Sequence, residues 1–511
     1  MKKSMKWGAS LIITGVLLSG CGSSSNEAEG NQKDRSKVEP ITIMTPYVQS
    51  EPPAKDSEVV KKFKELTGEN IEFQWVANAS YDDKLNVTLA SGDLPEIIVA
   101  KGKNAGFVKS ANAGAFWDLT DYLKEYPNLA QYDEAVLENS SINGKVYGIY
   151  RTRDRLRASV IVRKDWLEKM NMEMPESVDD LYEVAKAFTE NDPDGNGKDD
   201  TTGIILPKWE GLNNHSPFDV LSVWFGAPNA WGEEKDGSLY PSFDTEEYLD
   251  SMKWTKNMID KGYINSDFAT MADDAYDRFV QGKGGILIDM YSAQSHIQRK
   301  AGSEDYAKIM DFTGNLKSID GDYKCYPTEG YSGLLAIPKQ SVQTEEELKR
   351  VLSFIDKTND KDAQILMSNG IEGMNFEKES DTIGVRIDQE NNDVIKLQND
   401  VTCLDQLSTK LNGVKNYTLL ANVDDKANRE KQDQLMAHDL EYVVDNPAAP
   451  FVSETYTSKG ANLDTLILDA RIKFLSGQID EEGWKKQIEQ WKKTGGSDVI
   501  KELSELNKAT K

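Results

Sequence analysis

The stretch ITIMT at residues 41–45 is the first of five alternating segments that decide the fold class. It predicts a short β-strand. The segment SEVVKKFKELT at residues 57–67 places its apolar side chains on one helical face, and IEFQWV at residues 71–76 alternates as a strand does. A second helix is predicted over residues 81–91 and a buried strand over residues 96–100. This order predicts an open, mostly parallel α/β sheet.

The same kinds of element return along the rest of the chain. Strands are predicted at residues 158–163, 202–206, 285–291 and 331–338, and amphipathic helices at residues 178–188, 246–261 and 344–357. A chain of 511 residues is too long to fold around one hydrophobic core of ordinary size, so two lobes are expected. Ligands of open α/β sheets bind beyond the carboxyl ends of the strands, which predicts a cleft near the loops of Tyr47 and Asp93.

The N-terminus has the features of an export signal over residues 1–20. Lysines at positions 2, 3 and 6 precede an apolar run from Trp7 to Leu18. That run is shorter than the roughly 20 residues that span a bilayer. Leu18-Ser19-Gly20-Cys21 resembles the lipobox of bacterial lipoproteins, in which the cysteine is lipidated and becomes the first mature residue. The alternative is an ordinary cleaved signal that happens to carry a cysteine.

The lipoprotein interpretation predicts that the mature chain lies on the extracellular face of the cell membrane and is held there by the lipid on Cys21. Residues 21–40 are polar without apolar periodicity, which predicts a flexible tether. The net charge of −26 makes nucleic acid an unsuitable partner. The other two cysteines are Cys325 and Cys403. Outside the cytoplasm they could form a disulfide, and the alternative is that both are buried, unpaired thiols.

An acidic loop at residues 192–200, DPDGNGKDD, carries the sharpest chemical motif. Oxygen-bearing side chains occupy loop positions 1, 3, 5 and 9, and glycine occupies position 6, which is the spacing that wraps a chain around Ca²⁺. The predicted ligands are Asp192, Asp194, Asn196 and Asp200 through their side chains and Lys198 through its backbone carbonyl. Position 12 is Gly203 instead of the glutamate of an EF-hand. A solvated turn is the alternative; calcium with a structural role is favoured.

Several stretches together resemble one family. They are the lipobox, KLNVTLASGDLPE at residues 84–96, NGKVYGI at residues 143–149, RKDWL at residues 163–167 and the acidic loop. The chain resembles the extracellular solute-binding lipoproteins of ABC-type oligosaccharide importers (solute-binding protein family 1), in particular the Gram-positive subgroup related to alginate-binding proteins. After residue 149 the family usually has proline, whereas this chain continues YRTRDRLR.

The resemblance implies an α/β protein with two lobes, joined by crossing strands, and an oligosaccharide in the cleft between them. It also implies a calcium loop at residues 192–200, ABC permease subunits as partners and a lipid anchor in the membrane. The expected division is residues 41–157 with 290–340 for the N-terminal lobe and residues 158–289 with 341–511 for the C-terminal lobe.

Sugar chemistry gives an independent set of candidate ligand-binding residues. Pyranose rings stack on aromatic faces, and their hydroxyls pair with planar polar groups. The aromatic candidates are Tyr47, Trp209, Trp224, Trp231, Tyr291 and Tyr331, for each of which core packing is the alternative. The polar candidates are Asp93, Asp289, Arg151 and Arg153.

The four arginines at positions 151, 153, 155 and 157 alternate, so an extended segment would place them on one face. Such a face suits a carboxylate of a uronic-acid-containing glycan; a solvated basic patch is the alternative.

Two other functions are compatible with the sequence. An external glycan hydrolase would need two carboxylates in defined positions at its active site. Because the chain has 86 acidic residues, the sequence does not exclude such a pair. No nucleophile elbow or zinc-protease motif occurs, and the three histidines are scattered, so a non-enzymatic function is predicted. The second alternative is a peptide-binding or signal-binding protein on the same scaffold.

Overall fold

The structure is a computed structural model. It describes residues 39–511, apart from residues 210, 214, 272–273, 388, 412, 414–415 and 422–424. The predicted signal, Cys21 and most of the predicted tether lie outside the described residues.

The helices and strands follow in chain order. The first segment contains β1 (Ile41–Tyr47), α1 (Glu58–Thr67), β2 (Ile71–Ala77), α2 (Tyr81–Ser91), β3 (Ile97–Ala100), α3 (Ala105–Asn112), α4 (Glu134–Ser140) and β4 (Ile149–Thr152). The second contains β5 (Ala158–Arg163), α5 (Lys164–Met170), α6 (Val178–Glu190), β6 (Thr202–Ile204), α7 (Pro217–Trp224), β7 (Trp231–Glu233), β8 (Leu239–Pro241), α8 (Glu246–Asp260), α9 (Ala275–Val280), β9 (Gly284–Met290), α10 (Ala293–Ala301), α11 (Ser303–Ile309) and β10 (Met310–Thr313). The third contains β11 (Tyr331–Ala336), α12 (Glu345–Lys357), α13 (Lys361–Asn369), β12 (Phe376–Lys378), β13 (Ile383–Arg386), α14 (Asn392–Leu404) and β14 (Thr418–Leu420). The last contains α15 (Lys426–Asp439), α16 (Glu454–Leu475), α17 (Glu481–Trp491) and α18 (Ser497–Ala509).

Two sheets organise two lobes. The sheet of the first lobe has the strand order β2-β1-β3-β11-β4, and the sheet of the second lobe has the order β10-β5-β9-β6. In the first sheet β1 runs parallel to β2 and β3, while β11 runs antiparallel to β3 and β4. The two-lobed α/β fold class is therefore confirmed, and the parallel arrangement predicted from residues 41–100 holds for the three strands of that segment.

Local signals set where several helices begin and end. Gly68 ends α1 with φ +70°, a conformation that glycine adopts without steric penalty. Thr344 caps α12 by accepting from the backbone of Glu347, whose own side chain accepts from the backbone of Thr344. Trp484, Ile488 and Trp491 of α17, predicted to share one face, are all buried in the core of the second lobe. None of the described helices combines the length and apolarity that crossing a membrane requires.

The lobes divide the chain differently from the prediction in two places. Strand β10 pairs with β5, and Tyr291 and Ile297 pack beside the second sheet, so most of residues 290–330 belongs to the second lobe. Helix α12 and the segment down to Leu411 pack in the core of the first lobe. Helical periodicity shows that one face of a helix is buried but not which sheet covers it, so it does not assign either segment to a lobe.

Candidate functional site

Two segments that cross between the lobes run side by side. Residues 153–157 connect β4 to β5, and residues 314–330 connect β10 to β11. The backbone N–H of Arg153 donates to the carbonyl of Gly330 at 2.9 Å, and that of Thr328 donates to the carbonyl of Arg155 at 2.7 Å. The hydroxyl of Thr328 also donates to the carbonyl of Asp154 at 2.9 Å. These bonds join the two segments into a link between the lobes.

A cavity of about 1160 Å³ lies beside this link, with walls from both lobes. The second lobe contributes α10 and α15, and the first lobe contributes β13, β14 and α14. The small sheet of β12, β13 and β14 is held to the first lobe through Asn369, whose side chain donates to the carbonyl of Tyr417 at 2.7 Å. Pockets for small ligands measure about 300–1,000 Å³, so this cavity has room for a ligand at or above the upper end of that range.

Polar atoms that are buried and have no partner among the described residues occur on five of the side chains that line this cavity. They are the Tyr291 hydroxyl, Gln294 Nε2, Asn375 Nδ2, Asn416 Oδ1 and Arg429 Nε. Buried polar groups are normally hydrogen-bonded, and leaving one unpaired costs about 1–3 kcal/mol. Hydroxyl, amide and guanidinium groups are those that pair with the hydroxyls of a sugar.

His215 stands where the loop after β6 meets the link. Its ring packs edge-on against Tyr326 at 4.9 Å between ring centroids, and Nε2 is buried without a partner among the described residues. Burial, together with the charges of Arg157 and Arg153, lowers the pKa of His215 to about 4. The imidazole is therefore neutral at pH 7.

Of the predicted ligand-binding residues, Tyr291 lines the cavity. Arg153 is exposed between two cavity-lining residues, Thr152 and Asp154. Asp289 does not belong to the described lining; its carboxylate accepts from the Tyr276 hydroxyl at 2.9 Å, and burial raises its pKa.

The remaining aromatic candidates lie in several places. Tyr47 lines a separate shallow groove with Trp75 at the ends of β1 and β2, and Tyr331 packs half-buried against the first core. Trp209 is half-buried in the loop that carries His215, and Trp231 packs against the second core from the β7–β8 hairpin.

Three predicted contacts are corrected by the structure. Trp224 is a core residue with no exposed surface, and its Nε1 donates to Asn315 at 3.2 Å. Asp93 follows α2, which returns the chain to the amino end of the sheet, so it lies at the edge opposite the carboxyl ends of β1 and β2. Arg151 is buried and donates to the carbonyls of Ser332 and Asp405 at 3.0 and 3.3 Å.

The four alternating arginines do not share a face. The chain bends at Arg155, whose guanidinium pairs with Asp445, while Arg151 is turned into the first lobe and Arg157 lines the cavity. The cavity instead gains Arg299 from α10 and Arg386 from β13, which sequence reasoning missed. No local pattern distinguishes these two arginines from other surface arginines.

The acidic loop is folded around its own side chains. Asp192 Oδ1 accepts from the backbone of Gly195 and Asn196, each at 3.0 Å, and Oδ2 accepts from Gly197 at 3.0 Å. The bond from Gly197 is the main cause that lowers the pKa of Asp192. Asn196 Nδ2 donates to Asp194 at 2.8 Å and to Asp200 at 3.0 Å, so the predicted side-chain ligands converge.

Gly203 explains why this loop lacks the last ligand of an EF-hand. A Cβ atom at Gly203 would lie 2.3 Å from the carbonyl oxygen of Ala185 in α6, which excludes any side chain there. Within the described residues, no group of three or more His, Cys, Asp or Glu side chains is arranged to hold a metal ion. The carboxylates of Asp194 and Asp200 converge on Asn196 Nδ2, while Asn196 Oδ1 accepts from the backbone N–H of Lys198 at 2.8 Å. By donor type the set fits a hard cation, since Ca²⁺ takes carboxylate and amide oxygens.

Cys325 and Cys403 are both buried, free thiols. Burial raises the pKa of Cys403 to about 11 and that of Cys325 further still, so both thiols stay protonated.

Comparison with known proteins places the chain among solute-binding proteins. A sequence profile described as "Bacterial extracellular solute-binding protein" matches residues 48–365. The chain is 45% identical to lipoprotein LipO of Bacillus subtilis over 513 residues, which covers 99% of both chains. It is 35% identical to the polygalacturonan/rhamnogalacturonan-binding protein YtcQ of the same species over 519 residues, again 99% of both.

Structural superposition shows that solved solute-binding proteins share this fold. An HMO-binding, ABC-transporter-associated solute-binding protein from Bifidobacterium longum infantis superposes with a TM-score of 0.71 at 17% identity. The superposition covers 92% of this chain and 99% of that one.

Proposed function

The chain belongs to the family of bacterial extracellular solute-binding proteins, and from that membership we propose that it captures an oligosaccharide outside the cell and delivers it to an ABC-type import permease. The observation that carries the proposal is the polar cavity beside the interlobe link, with unpartnered hydrogen-bonding groups from both lobes. The similarity to YtcQ, a polygalacturonan/rhamnogalacturonan-binding protein, supports a carbohydrate ligand.

Binding proceeds by closure of the two lobes about the link. A sugar that pairs with the buried polar atoms of both walls has more partners in the closed form than in the open form, so it shifts the population towards closure. The closed, loaded form is the one that a permease must recognise.

The lipid anchor on Cys21 is part of the same proposal. An anchored mature chain stays beside its permease. Cys21→Ala is expected to release the protein from the membrane fraction or to block its maturation, without changing the ligand affinity of the folded part. A variant that is processed normally and remains in the membrane fraction would contradict the anchor.

Calcium in the acidic loop is proposed with a structural role. The ion would be held by the side-chain oxygens of Asp192, Asp194, Asn196 and Asp200 and by the carbonyl of Lys198. It would offset the repulsion between neighbouring carboxylates and hold the loop against α6.

The test of the function is isothermal titration calorimetry of the purified full-length protein against panels of oligosaccharides and peptides. We expect heat of binding from at least one class of oligosaccharide and none from peptides. The same mixtures, assayed for new reducing ends, separate capture from hydrolysis. Binding of peptides alone, or release of reducing ends by the protein, would overturn the proposal.

A further inference from the structure

The cavity has the opposite charge sign from the chain. The whole sequence carries a net charge of −26. Among the described residues that line the cavity, however, the charged side chains are five basic ones and two acidic ones. The basic ones are Arg157, Arg299, Arg386, Lys410 and Arg429, and the acidic ones are Asp154 and Asp425. A cationic cavity in a strongly acidic protein concentrates anions locally, because a concave, low-dielectric site focuses the field of its own charges.

Two of the basic side chains already have carboxylate partners. Lys410 pairs with Asp405 at 3.1 Å, and Arg429 pairs with Asp433 at 2.9 Å. One of the acidic side chains, Asp425, accepts from Gln298 at 3.0 Å. The charges of Lys410 and Arg429 are therefore paired within the protein, and Asp425 has a hydrogen-bond donor.

Arg386 and Arg299 have no carboxylate partner among the described residues. Burial lowers the pKa of Arg386, and the positive charge of Arg299 lowers it further. The guanidinium of Arg299 donates to His296 Nδ1 at 2.8 Å. Two neighbouring cations without an anion repel each other, so an anion placed between them is attracted by both.

We propose that the cavity selects oligosaccharides that carry uronic-acid carboxylates, and that Arg299 and Arg386 hold the carboxylate. The proposal rests on the function proposed above, and it names the substrate class. Guanidinium groups bind carboxylates through two parallel N–H···O bonds, which gives both affinity and orientation. The hydroxyls of the same sugar pair with Tyr291, Gln294 and Asn416, whose buried polar atoms are unpartnered among the described residues.

The two arginines come from different lobes. Arg299 lies on α10 of the second lobe, and Arg386 ends β13, which belongs to the first. Their mutual repulsion opposes closure in the absence of ligand, and a bound carboxylate replaces that repulsion with attraction on both sides. An acidic sugar therefore favours the closed form more than a neutral sugar of the same size.

The test uses oligogalacturonides and their methyl esters as probes, because esterification removes the charge and leaves the sugar chain. We expect the purified full-length protein to bind the acid at least about tenfold more tightly than the ester, as loss of a charge-assisted bidentate pair predicts. Arg299→Gln and Arg386→Gln should each weaken binding of the acid by at least about tenfold and change binding of the ester little. Raising the salt concentration should weaken binding of the acid more than that of the ester.

Arg350→Gln is the matched control. It removes the same charge from α12, where Arg350 pairs with Glu69 at 3.0 Å, and it should leave both affinities unchanged. Circular dichroism melts verify that each variant is folded. Equal affinity for acid and ester, or equal losses for both in the two cavity variants, would overturn this inference and leave sugar capture intact. Failure to bind any carbohydrate would overturn the proposed function as well.

Discussion

Thr328 ties one link segment to the other by donating its backbone N–H to the carbonyl of Arg155 at 2.7 Å. Its hydroxyl adds two bonds, since it donates to the Asp154 carbonyl at 2.9 Å and accepts from the Gly330 backbone at 3.1 Å. The side chain is 4% exposed, so these bonds are shielded from water. Thr328 therefore fastens the two segments of the interlobe link to each other.

Replacing Thr328 with valine should destabilise the protein. Thr328→Val keeps the shape of the side chain but leaves the Gly330 N–H and the Asp154 carbonyl without this partner, which costs about 1–3 kcal/mol. Urea unfolding measures the change. Thr465→Val is the control, because Thr465 is exposed on α16 and bonds within its own helix. Equal losses in the two variants would contradict a special role for Thr328.

Tyr291→Phe should weaken sugar binding without loss of stability. The Tyr291 hydroxyl is buried and has no partner among the described residues, so its removal breaks no internal hydrogen bond. If the hydroxyl bonds to the ligand, affinity should fall roughly 2- to 12-fold, as expected for one hydrogen bond of about 0.5–1.5 kcal/mol. Calorimetry and thermal melts give the two readouts.

Tyr326→Phe is the matched comparison for Tyr291→Phe. The Tyr326 hydroxyl is hydrogen-bonded to the backbone of His215, so its loss should lower stability. An unchanged affinity in Tyr291→Phe, with binding intact in the parent protein, would remove Tyr291 from the ligand site.

Calcium should raise the melting temperature of the parent protein. An ion that binds only the native state stabilises by mass action, by about 2.7 kcal/mol at a free concentration one hundred times Kd. Asp192→Asn should abolish the difference between melts in Ca²⁺ and in EDTA. Asp199→Asn, in the same loop but outside the predicted ligand set, should preserve it. Superimposable melts of the parent in the two buffers would contradict a calcium site.

Acid should destabilise the fold in part through His215. Its pKa is about 4 in the folded protein against an ordinary 6.5, so the unfolded chain takes up a proton first as the pH falls. Stability is therefore lost as the pH falls from about 6.5 to about 4, by at most about 3 kcal/mol, and this effect is absent above that window. His215→Gln should show a smaller loss over the same range. An NMR titration of His215 with a midpoint at or above 6.5 would contradict the prediction.

Many helices and strands could be predicted from the sequence because the patterns that indicate them are local. Strand β5 occupies the predicted residues 158–163, and α1 ends where Gly68 predicted its end. Such patterns involve residues within one or two helical turns of each other, so they can be recognised without knowing which segment the helix or strand packs against. The acidic loop is equally local, and its predicted side chains do converge, although the ion itself remains a prediction.

The tertiary structure alone decided which side chains meet. Trp224 was a plausible stacking residue by type, but α7 turns it into the core, whereas Tyr291 is among the residues that line the cavity. The arginine alternation failed because a bend at Arg155 ends the extended geometry on which alternation depends. Arg299 and Arg386 are brought to one cavity by the packing of two lobes. Contacts between segments so far apart depend on which faces the cores bury together, and no periodicity within either segment encodes that.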